Sequence, residues 1–376
     1  MANLVLPPGI IISSRFLQSD EWLRPSDWLT LPSLFDGDEE IAGLFAVYDT
    51  ATNYVAFAVA GAYTVDWGDG GAAEDVATGV TAEHAYTYAD LDASTATVRG
   101  YRQALITITP QGAGHITSVN FNINHSSAGA GHVTPWLDME IAGLNITALF
   151  VGGVTVNNSL MEQFRWVGST NAGLTSGRDV FKDLLSLQSI VLFDMINITD
   201  MYGMFRNCPM MRNYPDMNTV ACENFSYTFH TNTSMQIHPE IDYSSATNIS
   251  GHYYHCPRLQ TARFPNLTSS NYRINNLFNG DTLLQIVYAF ENSGATYTDG
   301  AFLYCPSLIS APLAGTAISI SYLDCNLDQA AIVAIFNGLA SGVTAQTITI
   351  TGNPGVADLT AANRLIATDK GWTIAE

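Results

Sequence analysis

The groups in this chain able to do chemistry are 34 Asp and Glu, eight His and five Cys, and their spacing decides which chemistry is open to them. A nucleophile needs a base within reach. The contexts that build such a pair or cradle a phosphate (GxSxG, HExxH, a Walker loop, GxGxxG between strand and helix) do not occur. The one dense carboxylate run, Asp36, Asp38, Glu39 and Glu40, follows Phe35 and flanks Gly37, as a solvated turn does. Scattered carboxylates leave a glycan-cleaving pair open as a reading. His252, His255 and Cys256 lie close together, but no second pair completes a zinc spacing. The Gly-rich stretch around His125 and His132 has no Lys and no strand-to-helix setting, so it reads as a surface excursion. No catalytic residue, metal ligand or cofactor is assigned.

The cysteines lead from chemistry to organisation. Cys208, Cys256 and Cys305 fill one slot of a recurring unit, with Asn232 and Asp281 in that slot between them; Cys222 and Cys325 complete the five. The unit runs aromatic, two free positions, the slot, a Pro/Thr/Leu, one free position, then Leu or Met. It opens at Phe181, Phe205, Phe229, Tyr253, Phe278 and Phe302, in steps of 24, 24, 24, 25 and 24. A fixed period in this range marks a solenoid whose units are too small to bury cores of their own. Same-slot cysteines two layers apart would lie about 9–10 Å apart, too far for a disulfide, so a column of buried thiols is expected.

These units need a frame. Residues 1–42 repeat a Trp-Leu pair, Trp22-Leu23 and Trp28-Leu29, among helix-breaking prolines. Trp22 and Trp28 are expected to dock on another surface, the alternative being packing on the next domain. Residues 43–110 alternate in the period of β-strands, with Tyr63, Val65 and Trp67 on one face and a tight turn at Asp69-Gly70. From 111 to 322 an apolar frame becomes regular over 181–322. Its outward strand positions vary, among them Arg263, Ile286 and Tyr288, the candidate binding residues. Pro215, Pro239 and Pro312 predict short strands. Residues 323–376 predict two helices and strands forming an end cap. The first helix starts near Asp328 and ends near Gly338 or Gly342; the second turns Leu359, Leu365 and Ile366 inward and stops at Gly371.

Two segments resemble known families. "YTVDWGDG" followed by "EHAYTY" resembles the PKD-like β-sandwich. The resemblance raises Asp66 and Asp69 as Ca²⁺ ligands, but Asp-Gly is what the turn itself needs and further ligands of a cage are not evident. "NITDMYGMFRNCPMM" and "NISGHYYHCPRL" resemble BspA-like leucine-rich repeats. The expected fold is therefore mainly β: a small PKD-like sandwich, a leucine-rich-repeat solenoid and a helical C-terminal cap.

Charge narrows the partners. Fourteen Lys and Arg against 34 Asp and Glu give −20, which disfavours nucleic acid and anionic lipid. No 18-residue apolar run predicts a membrane span, and the N-terminus lacks a basic region before its apolar patch. Together with the absence of an export signal and wall anchor, the layout is similar to appendage proteins of tailed bacteriophages. That resemblance implies a homo-oligomeric structural protein of the virion, assembled in the host cytoplasm, docked by its N-terminus to other virion proteins and presenting the solenoid to a host glycan or protein. A capsid decoration or head-fibre protein and a bacterial surface adhesin are the alternative readings.

Overall fold

The computed structural model describes residues 22–50, 52–112, 114–129, 131–153, 158–168, 173–192, 195–267 and 271–376. Residues 1–21 of the expected docking segment lie outside them. Among the described residues the protein is mainly β, with two α-helices.

The N-terminal half is built on strands β1 (Glu40–Val47), β2 (Asn53–Ala60), β3 (Tyr63–Asp66), β4 (Glu74–Val76), β5 (Thr81–Tyr86), β6 (Arg102–Pro110), β7 (Ser118–Asn120), β8 (Trp136–Ala142), β9 (Ala148–Phe150), β10 (Gln163–Val167) and β11 (Ser189–Val191). They form a seven-stranded sheet, β11-β10-β8-β1-β6-β3-β4, and a four-stranded sheet, β5-β2-β7-β9. Pairing is antiparallel through β6-β1-β8 and becomes parallel at β8-β10-β11. In the other sheet it is antiparallel at β2-β7 and parallel at β7-β9. The sandwich thus turns into the solenoid within its own sheets, with no break at 110/111. One apolar core runs from Ile41 to Trp372.

Strand β1 begins at 40 rather than 43 and is buried on both faces. Ile41, Phe45 and Val47 enter the main core, while Ala42, Leu44 and Ala46 join a second cluster under Trp28 and Leu31. Gly43 admits the Trp136 ring: a Cβ there would stand 2.4 Å from Trp136 Cζ3. Asp66 and Asp69 accept the N–H of Gly68 and Gly71, each at 2.9 Å, and Asp69 also meets His84 Nε2 at 3.0 Å. The His84 ring stacks on Trp67 at 4.8 Å. Both carboxylates thus hold the turn, and among the described residues no His, Cys, Asp and Glu cluster could hold a metal ion.

In the solenoid the repeated aromatics form a stacked column. Phe181–Phe205, Phe205–Phe229, Phe229–Tyr253, Tyr253–Phe278 and Phe278–Phe302 have ring centroids 5.5–5.8 Å apart and planes within 15°. Tyr322 prolongs the column at 4.8 Å from Phe302. The aromatic N–H donates to the next turn, Phe205 to Thr228 and Phe229 to His252, both at 2.9 Å. The backbone bends by left-handed residues two before and two after each aromatic. The preceding set is Asp179, Gly203, Tyr227, Gly251, Asn276 and Gly300; the following set is Asp183, Asn207, Thr231, His255, Gly280 and Tyr304.

The preceding set alternates large and small because each large side chain lies along the axis onto the next turn. A Cβ at Gly251 would come 2.6 Å from the Tyr227 ring, and one at Gly203 would come 2.4 Å from Asp179 Oδ1. Strands are short, such as Thr261–Ala262 against Ile286–Val287. Around Pro215 and Pro239 the described residues form only the bridge Met217–Ile241.

The C-terminal unit continues the stack with three parallel strands, Ile320–Ser321, Gln346–Thr349 and Trp372–Ala375. Helix α1 (Gln329–Gly338) starts at Asp328, whose side chain accepts the Ala331 N–H at 2.8 Å. Helix α2 (Ala361–Thr368) starts with a Thr360/Asn363 capping box. Leu365 is 53 % exposed, not inward; Ala367 takes the buried position on that short helix, and Leu359 is buried just before it.

Candidate functional site

Two long surfaces and one strap are available to a partner. On the strand face Arg263 and Tyr288 come together from adjacent turns, with the guanidinium 4.4 Å from the ring centroid. Stacking an Arg on a ring costs it little hydration and leaves its donors free to turn outward. Ile286 does not join them. It pairs with Thr261 on one side and Ser310 on the other, and is only 7 % exposed. The expected outward position fails there because Ile286 and Val287, the two residues of that short strand, are both buried.

Trp22 and Trp28 turn onto the protein's own sheet. The Trp28 indole N–H donates to Tyr101 Oη at 2.8 Å, and Arg24 and Arg99 lie over its ring at 5.4 and 5.6 Å. Trp22 donates to Glu162 Oε2 at 3.1 Å. Arg24 reaches the buried Asp138 at 2.7 Å, and Arg99 pairs with Glu162. Burial outweighs Arg24 and Arg165 at Asp138, so its carboxyl sits above the ordinary range. The segment from Trp22 to Leu34 is therefore a strap held by charge and two indoles. Its strongly exposed apolar side chain is Leu23, with Phe35 just beyond.

The second long surface is the turn edge, which a strand-based reading passes over. Positions beside the aromatic column place Lys182, Arg206, His230 and Tyr254 one above another. A cleft of 410 Å³ is lined by Lys182, Asp183, Arg206, Asn207, His230 and Thr231. It adjoins a 430 Å³ cleft at the sandwich junction that shares Lys182 and includes Phe150 and Arg178. Rings run along this edge: Arg178 lies 4.0 Å over Tyr202, Tyr202 meets Tyr227 at 5.9 Å, Tyr227 meets His230 at 5.6 Å, and His230 meets Tyr254 at 4.9 Å. Burial, then Arg206 and His255, lower His230 to about 4, so it is neutral at neutral pH. The available signal was the residue after each aromatic, read down the 24-residue period.

The interior titratable groups are held in unreactive forms. All five cysteines are buried and free, and burial raises each thiol, Cys325 to about 12. A thiolate is the reactive form, so these are packing groups. Burial lowers His252 to about 3. Its Nδ1 lies 2.8 Å from the Phe225 carbonyl and therefore carries the proton, leaving Nε2 to accept from Tyr243 Oη at 3.0 Å. No family model, curated protein or solved structure matches the chain.

Proposed function

We propose that this protein is a structural appendage of a tailed-phage virion, which docks through its N-terminal segment and presents the solenoid to the host surface. On this reading the sandwich is PKD-like, the repeats are BspA-like leucine-rich repeats, and the chain acts by binding rather than by catalysis. The observation that carries it is the turn edge, where stacked layers place cationic and aromatic side chains in columns beside two adjoining clefts. Stacking gives such columns their spacing without any side chain having to organise the site, as in other repeat scaffolds. The Arg263–Tyr288 stack on the strand face is a second contact. Docking rests on the segment as a whole, with Leu23 81 % and Phe35 67 % exposed, rather than on the indoles turned inward. Purified protein should compete with the particle for adsorption to its host cells; unchanged adsorption at saturating protein would refute the attachment role.

A further inference from the structure

We infer that the turn-edge cleft between Lys182 and His230 binds an anionic saccharide, an inference that rests on the attachment reading and names its ligand. Carboxylates outnumber cations 34 to 14 in this chain, yet the cleft rim carries Lys182 and Arg206 against the single carboxylate Asp183. Asp183 Oδ1 is occupied by Asn207 Nδ2 at 2.8 Å. Among the described residues neither Lys182 nor Arg206 has a carboxylate oxygen within 4.0 Å, whereas Arg178 beside them reaches Asp200 at 3.6 Å. Asp179 in the adjoining cleft feels both cations without forming a close pair with either, so the two, one turn apart at about 4.8 Å per layer, can converge on one anionic group.

The remaining lining suits sugar. Thr231 adds a hydroxyl, which also meets the His230 ring nitrogen at 3.2 Å, Asn207 adds the oxygen of an amide whose nitrogen is held by Asp183, and the half-buried, neutral imidazole of His230 offers a ring against a C–H face. A volume of 410 Å³ falls in the range of about 300–1,000 Å³ for small-ligand sites. The adjoining 430 Å³ cleft, with Phe150 42 % exposed, extends the track past Lys182, so a linear saccharide is accommodated along the axis. The field of −20 opposes every anion in proportion to its charge, so a short saccharide bearing a few charges is favoured over a nucleic acid, which carries one per nucleotide.

Calorimetry at low salt tests this with oligogalacturonate (carboxylate), phosphorylated oligomannose (phosphate) and dextran (neutral). At least one anionic probe should bind, at least about tenfold more tightly than dextran. Its binding should weaken with salt and fall at least about tenfold in Lys182→Gln/Arg206→Gln, which keeps most of the apolar stems. Arg364→Gln, in the C-terminal helix Ala361–Thr368, should leave it unchanged. Dextran binding as tightly, no binding of either anionic probe, or full binding by the double variant would overturn the assignment. If wild-type protein fails in this way yet still adsorbs to host cells, the ligand class is wrong and attachment stands. If it adsorbs to no host cell, the attachment reading itself has failed.

Discussion

Asp281 shows how a single buried atom can report the design of the stack. In the same slot, Asn232 accepts the Cys208 N–H at 2.8 Å and donates its amide to the Phe205 carbonyl at 3.0 Å. Asp281 accepts the Cys256 N–H at 2.7 Å, but its Oδ2 is buried without a partner. Burial pushes this carboxyl well above the usual range. The folded state therefore keeps a proton that the unfolded chain releases above about pH 4. Stability is full below that pH and falls as pH rises toward the folded value. Asp281→Asn supplies a neutral donor at every pH and should stabilise the protein by about 1–3 kcal/mol at pH 7, with the gain shrinking toward zero below about pH 4. Urea unfolding at both pH values measures this; a variant no more stable than wild type at pH 7 would contradict it. The sequence showed that Cys, Asn and Asp share the slot. It did not show why, because the carbonyl that the cysteines and Asn232 serve, such as Phe181 for Cys208 Sγ at 3.0 Å and Phe205 for Asn232, lies one turn away.

At the scale of the element, two features carry each turn. The aromatic column was legible because a six-fold period survives every local irregularity. Removing one ring from its middle, Phe229→Ala, should cost about 3–5 kcal/mol, read as a lower urea midpoint; a loss under 1 kcal/mol would mean that the rings merely fill space. The left-handed pairs around each aromatic were not legible, since the large–small alternation of Tyr227 and Gly251 only makes sense once the turns are stacked. Gly251→Ala meets the Tyr227 ring at a φ of +59° and should destabilise by more than about 1 kcal/mol. Gly112→Ala, at +62° with nothing within 4 Å, bears the backbone strain alone and should cost less. Equal melting temperatures for the two variants would remove the packing argument. Leu365 was misplaced for a related reason: a helix of eight residues beside an end strand buries a narrower stripe than its sequence suggests.

At the scale of the whole molecule, the expected boundary at 110/111 dissolves because β1 and β8 pair with the strands that start the solenoid. Alternation in the first segment and the apolar frame in the second mark both as β, yet a long-range pairing is not written in either. A shared core predicts coupled opening: amides of β1 and β6 and those of the Phe205–Phe229 turns should exchange with similar opening free energies. Sandwich amides still protected while those turns exchange fully would show two independent units. The same continuity joins the solenoid to its base through one core, which suits the proposed docking at one end and binding along the length. The measurement that tests this account most directly is the chain's copy number in purified virions, by quantitative mass spectrometry against the major capsid protein. A few to a few tens of copies per particle is the predicted result. Hundreds would move the chain to the shell as a decoration protein, and absence from virions would contradict the account.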